Sequence, residues 1–183
     1  IWIRESWMHI EIDRIAPEER GAIEQALSAS LADVRAAVDD WPRMQQRLHD
    51  IVADLKANPP AKIPSSEIAL GVDFLTWLSS DHFAFLGYRE YRLAEQGKEL
   101  ALHAVAGSGL GILRGDQFGS TSFDKLPPLV RAKAKEKKLL VLAKANSKAT
   151  VHRPSYLDYI GVKTFDAAGN APPISATISS MRK

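Results

Sequence analysis

The chain has 183 residues, 45% of them apolar and 25% charged, with a net charge of +2 and no cysteine. That balance describes a chain able to bury a core, long enough for one ordinary domain with extra helices and too short for two full enzyme domains. Without cysteine there is no disulfide scaffold and no thiolate metal site, and no apolar run approaches the roughly 20 residues that span a bilayer.

A cysteine-free chain fits a reducing compartment, so a cytoplasmic location is expected. Ile1-Trp2-Ile3-Arg4-Glu5 shows no secretory pattern and no initiator Met. The natural protein is therefore expected to begin earlier, with this chain as a segment of it. Charge is unevenly spread: residues 1–60 carry 7 Lys/Arg against 11 Asp/Glu, and residues 61–183 carry 17 against 11. Two electrically different units are expected.

In chain order, Trp7 to Arg14 alternates apolar and polar residues, with Met8, Ile10 and Ile12 on one face. This period of two predicts a half-buried strand that needs a partner. Pro17-Glu18-Glu19 suits a helix start, because proline fits the first position and acids suit the positive end of the helix dipole. Ile23, Leu27, Leu31, Val34, Val38 and Trp41 then step by threes and fours, an amphipathic stripe. Pro42 is expected to open a second helical run, with Met44, Leu48, Ile51 and Leu55 inward, closed by Asn58-Pro59-Pro60. A third helix after Ser66 turns Ile68, Val72, Leu75 and Leu78 inward.

The period then changes. Phe83 to Leu93 and Leu100 to Ala104 predict a β-hairpin around Ala94 to Lys98. Leu110 to Leu113 reads as a short strand, and Pro127-Pro128 as the start of a short basic helix ending near Lys138. Leu139 to Ala143 reads as a buried strand and Tyr156 to Phe165 as another, with a turn at Asp166 to Asn170. A closing strand is due next, but Pro172 and Pro173 make a poor one, so residues 171–183 are expected as an irregular or non-native tail. The fold class is α+β: a helical segment followed by a small domain with a mostly antiparallel sheet.

Candidate chemistry is sparse. Gly107-Ser108-Gly109-Leu110-Gly111 could cradle a phosphate, but no helix and no Gly-Lys-Ser/Thr follows it, so a tight turn is the preferred reading. His9, His49, His82, His103 and His152 lack metal-ligand spacing, and no metal site is expected. Ser155 and Asp158 lie near His152 without a nucleophile elbow, so no catalytic residue is assigned. The run from Arg131 to Lys138 could meet nucleic acid or another polyanion, and such a binding module is the alternative function; a solvated face is preferred, since no nucleic-acid motif supports it. The polar stretch from Lys144 to Pro154 is the candidate loop for an anion, a ligand or a domain contact, through Lys144, Asn146, Lys148, His152 and Arg153. Trp7, Trp41, Trp77, Tyr88, Tyr91 and Tyr156 read as core or interdomain packing.

Several stretches together resemble one family: Glu5-Ser6-Trp7-Met8-His9-Ile10-Glu11-Ile12-Asp13-Arg14, Phe74-Leu75-Thr76-Trp77-Leu78 with Phe83-Ala84-Phe85-Leu86-Gly87-Tyr88-Arg89-Glu90-Tyr91, Gly109-Leu110-Gly111-Ile112-Leu113-Arg114, and Lys144-Ala145-Asn146-Ser147 with Thr150 to Lys163. They resemble, in order, the N-terminal region of the large bacterial NAD-dependent glutamate dehydrogenases. The resemblance implies that residues 1–14 end an ACT-like domain, 15–64 form a helical connector and 65–170 a PAS-like domain. It implies a non-catalytic regulatory or assembly role, with NAD and the catalytic groups held by a later domain of the parent enzyme. It also implies partners among the other domains and subunits of a homo-oligomer, and room for a small-molecule effector. No cofactor is assigned to this chain.

Overall fold

Pro17 opens the helical part. In the computed structural model, which describes residues 7–96, 99–115, 138–151, 154–165 and 175–182, a 3-10 turn at Pro17–Glu19 leads into helix α1, Arg20–Ala57. The amide of Ala16 donates to the Glu19 carboxylate at 3.1 Å, which ties the entry. At 38 residues, α1 runs about 57 Å at 1.5 Å per residue. It continues without a break past Pro42, where the sequence predicts a second helix. A proline inside a helix costs roughly 3 kcal/mol, partly because it leaves the carbonyl four residues back without a donor. Here that carbonyl belongs to Val38, an exposed residue that water can serve. Trp41, Met44 and Leu48, packed in the core just beyond, offset the cost.

After Asn58, helix α2 (Ser65–Trp77) continues into a π turn at Leu78–His82. Ile68, Val72, Leu75 and Leu78 are buried, as their spacing predicts. The rest is sheet: β1 (Phe83–Gln96), β2 (Glu99–Ala104), β3 (Leu110–Gly111), β4 (Leu140–Lys148), β5 (Tyr156–Lys163) and β6 (Ser175–Arg182). The order is β2-β1-β6-β5-β4, with β3 also on β1, and every pairing is antiparallel. The class is therefore α+β, and the hairpin of β1 with β2 is the expected one.

Three further expectations need correction. Residues 171–183 are not irregular throughout: Ser175–Arg182 forms β6, a central strand paired with both β1 and β5. The strand starts two residues past Pro173, so neither proline has to donate to the ladder. Residues 7–14 form no strand and pair with none of the described strands; Trp7 is 91% exposed, and Met8, Ile10 and Ile12 are exposed with it. Leu140–Lys148 is longer than the strand expected, lies at the sheet edge, and leaves Leu142 exposed while Leu140 packs on the core. The expected basic helix from Pro127 and the turn at 166–170 lie outside the described residues.

The core forms where α1 and α2 lie on the sheet. Leu48, Leu55, Leu75, Leu78, Phe85 and Val162 meet there, with Trp41 packed on Phe85 at 5.4 Å. Gly71 lets α2 settle onto Leu139; a Cβ there would come within 2.6 Å of its Cδ2. Glu67 accepts a hydrogen bond from the Leu139 amide at 2.9 Å, fixing the start of β4 beneath α2.

Candidate functional site

The densest polar contact in the described structure joins α1 to the glycine turn. Asp40 stands on the inward face of α1 between Ala37 and Met44 and is 2% exposed. Its Oδ2 accepts from the Gly111 amide at 2.8 Å and from Arg114 through Nε and Nη2, both at 2.9 Å. Its Oδ1 accepts from Arg43 at 3.3 Å. Burial alone would raise the Asp40 carboxyl; the hydrogen bonds from Arg114 and Gly111 and the charges of Arg114 and Arg43 outweigh it and hold the group below its usual range.

This contact decides what the glycine turn can do. Gly111 has φ +62°, and a Cβ on it would fall 2.1 Å from the Leu86 carbonyl. Gly107, at φ +74°, is the other left-handed position of the turn. Ser108 Oγ accepts from the Glu90 amide at 3.1 Å and donates to the Val105 carbonyl at 2.7 Å. The turn is thus laced to its own strand, and the Gly111 amide already faces a carboxylate. A nicotinamide dinucleotide does not fit here: Ile112 to Gly115, the described residues after the glycines, form a turn and no helix, and Asp40 would repel a pyrophosphate.

Arg89 lies beneath the same loop at 3% exposure. It donates to the Gly115 carbonyl, while Nε and Nη1 have no hydrogen-bond partner among the described residues. Gly109 is packed so closely that a Cβ would sit 3.1 Å from its Nη2.

The residues proposed from the sequence scatter. Lys144 and Lys148 belong to β4 rather than to a loop. Lys144 pairs with Asp158 across the ladder, and Lys148 lies 5.8 Å above the Tyr156 ring. Nothing is described of the Asn146 side chain, and His152 and Arg153 lie outside the described residues. The segment between β4 and β5 is instead fastened to α1, since Thr150 donates to Asp33 at 2.5 Å. Lys144 and Asp158 rim an open groove of about 680 Å³ floored by Phe74, Trp77, Phe83 and Ile160. Of the basic run, only Lys138 is described, and it is exposed. Among the described residues no group of His, Asp and Glu is placed to hold a metal ion. Tyr88 and Tyr91 are buried and Trp41 is packed, whereas Trp7, Trp77 and Tyr156 are exposed.

Sequence reasoning missed Asp40 and found the turn that it binds. The available signal was an acid at an inward helical position, three residues after Ala37 and four before Met44.

Fold and contacts define an α+β chain in which a long helix is clamped to an antiparallel sheet. No helix among the described residues is long and apolar enough to cross a membrane. No family model matches the chain. It is 34% identical over 176 residues to an NAD-specific glutamate dehydrogenase of Halomonas elongata, and 33% identical over 168 residues to one of Pseudomonas aeruginosa. Each match covers 91% of this chain and 10% of the relative, so the chain spans about a tenth of the length of these curated relatives. It is thus homologous to part of a large NAD-specific glutamate dehydrogenase.

Proposed function

We propose that the chain is a non-catalytic regulatory and assembly segment of a large, cytoplasmic NAD-dependent glutamate dehydrogenase. The parent reaction would be L-glutamate, NAD and water to 2-oxoglutarate, ammonia and NADH, carried out by a later domain that holds the NAD. Residues 1–14 would close an ACT-like domain, 15–64 would connect, and 65–170 would form a PAS-like domain with room for a small effector. The observation that carries the reading is the match of 91% of the chain to 10% of each relative. Two further features support it. The glycine turn, the nearest thing to a cofactor loop, is tied to Asp40. Apolar side chains of α1 also face outward from Ile23 to Val38, as a helix that meets other domains or subunits would show.

Two measurements test it. The isolated chain given NAD and glutamate should form no NADH, and measurable turnover would defeat the proposal. A thermal-shift screen with amino acids and nucleotides reads the regulatory part, because a ligand that binds the folded state raises the midpoint by mass action.

A further inference from the structure

The apolar stripe of α1 is wider than the surface its own domain covers. Ala37, Asp40, Met44, Leu48 and Leu55 face inward and are buried. Ile23, Leu27, Leu31, Val34 and Val38 lie along an adjoining side and are 39–67% exposed. From Leu27 to Trp41 they step four, three, four, three, the spacing of a coiled-coil seam. At its Val38 end the stripe runs into an apolar groove of about 440 Å³ lined by Ala37, Val38, Trp41, Pro42, Phe85 and Val151.

We infer that this stripe pairs with the same stripe of a second copy, the two α1 helices running antiparallel about a two-fold axis near Ser30 and Leu31. This deepens the assembly reading above by naming the partner, and rests on it only for its biological setting.

Charge selects the direction. Glu24 lies seven residues before Leu31 and Arg35 four after it, so both stand on the same border of the stripe. Both are exposed, and neither makes an ion pair or hydrogen bond among the described residues. An antiparallel two-fold brings like borders together and sets Arg35 of each copy within about 3 Å along the axis of the partner copy's residue 24, an acid. Two equivalent ion pairs follow. A parallel pair would set this border against the opposite one, where Ala26, Ser30 and Ala37 offer no charge.

Shape agrees. The domain body packs on α1 from Asp33 onward. Antiparallel copies keep their bodies at opposite ends, whereas parallel copies crowd them side by side. Symmetry also places Ile23 of each copy over the groove beside Val38 of the other. The five stripe residues offer on the order of 400 Å² per copy before their neighbours are counted, which puts the pair at the low end of stable interfaces, near 1,200 Å² in total. A dimer of micromolar affinity is the expected strength.

Sedimentation equilibrium of this chain over micromolar to submillimolar concentration tests the inference. The unaltered chain should pass from monomer to dimer. Leu31→Glu should weaken association at least about a hundredfold, because it buries a charge in each copy, while leaving the circular dichroism spectrum unchanged. Glu24→Arg should weaken it about tenfold, and the double variant Glu24→Arg/Arg35→Glu should restore it to within about threefold. A chain monomeric throughout, a dimer indifferent to Leu31→Glu, or a double variant no better than the single one would overturn the inference. A monomeric chain that also forms no NADH would remove the dimer and leave the non-catalytic reading standing. A dimeric chain that does form NADH would do the reverse.

Discussion

Asp40 and Gly111 stand 71 positions apart and share a hydrogen bond of 2.8 Å between a buried carboxylate and a backbone amide. The bond fastens the middle of α1 to the turn that ends β3. Arg114 adds two further donors to the same oxygen, so helix, turn and strand hold one another.

Removing the carboxylate should be costly. Asp40→Ala would leave the Gly111 amide and both arginines without their acceptor, and we expect a loss of about 2–4 kcal/mol, tempered by the partial exposure of Arg114. Urea unfolding of the two chains measures it. A loss below about 0.5 kcal/mol, the level of an ordinary surface change, would show that the contact contributes little.

The same group gives a pH dependence of known sign. The folded-state pKa of Asp40 lies below its ordinary value of 3.8. As pH falls, the unfolded chain therefore takes up this proton first. The stability it contributes is complete above about pH 5 and is lost as pH drops through 3.8 toward the lower folded value. Asp40→Asn should flatten the acid limb of a stability-versus-pH curve. An unchanged limb would assign acid sensitivity to other carboxylates.

Gly111 and Gly107 both have positive φ, but their surroundings differ. Ala at 107 meets nothing within 4 Å and bears only the left-handed strain, about 1 kcal/mol. Ala at 111 adds a collision with the Leu86 carbonyl, and we expect more than about 3 kcal/mol or a displaced β3. Equal losses in thermal unfolding would contradict this account of the turn.

Position along α1 should decide the cost of truncation. Leu48 is 0% exposed in the core, so Leu48→Ala should cost about 3–4 kcal/mol through lost burial and a cavity. Leu27→Ala, on the bare part of the same helix, should cost under about 1 kcal/mol at concentrations where the chain is monomeric. Chemical denaturation of both variants would show the difference, and similar losses would mean that the N-terminal half of α1 is covered within the monomer.

Much of the fold was legible. Ile68, Val72, Leu75 and Leu78 announced α2 by spacing alone, and the alternation of Leu100, Leu102 and Ala104 announced the strand that returns beside β1. The candidate site was far less legible. Lys144 reads as a loop lysine because polar residues surround it, but the ladder to Asp158 keeps it in β4. Pro42 and Pro173 read as breaks in the sequence, since proline removes a donor wherever it stands; at Pro42 the carbonyl left over belongs to the exposed Val38, and β6 begins only at Ser175, past Pro173.

The sequence by itself determined the local periods: the helix stripes, the hairpin, and the left-handed glycines of a turn. These follow from side-chain spacing and backbone sterics, which act between near neighbours. Only the tertiary structure decided that Asp40 would be buried against Gly111, that Ser175–Arg182 would take the centre of the sheet, and that the stripe from Ile23 to Val38 would stay bare. Each of these depends on which distant surface arrives to satisfy a charge, a ladder or an apolar face, and no local pattern encodes that arrival.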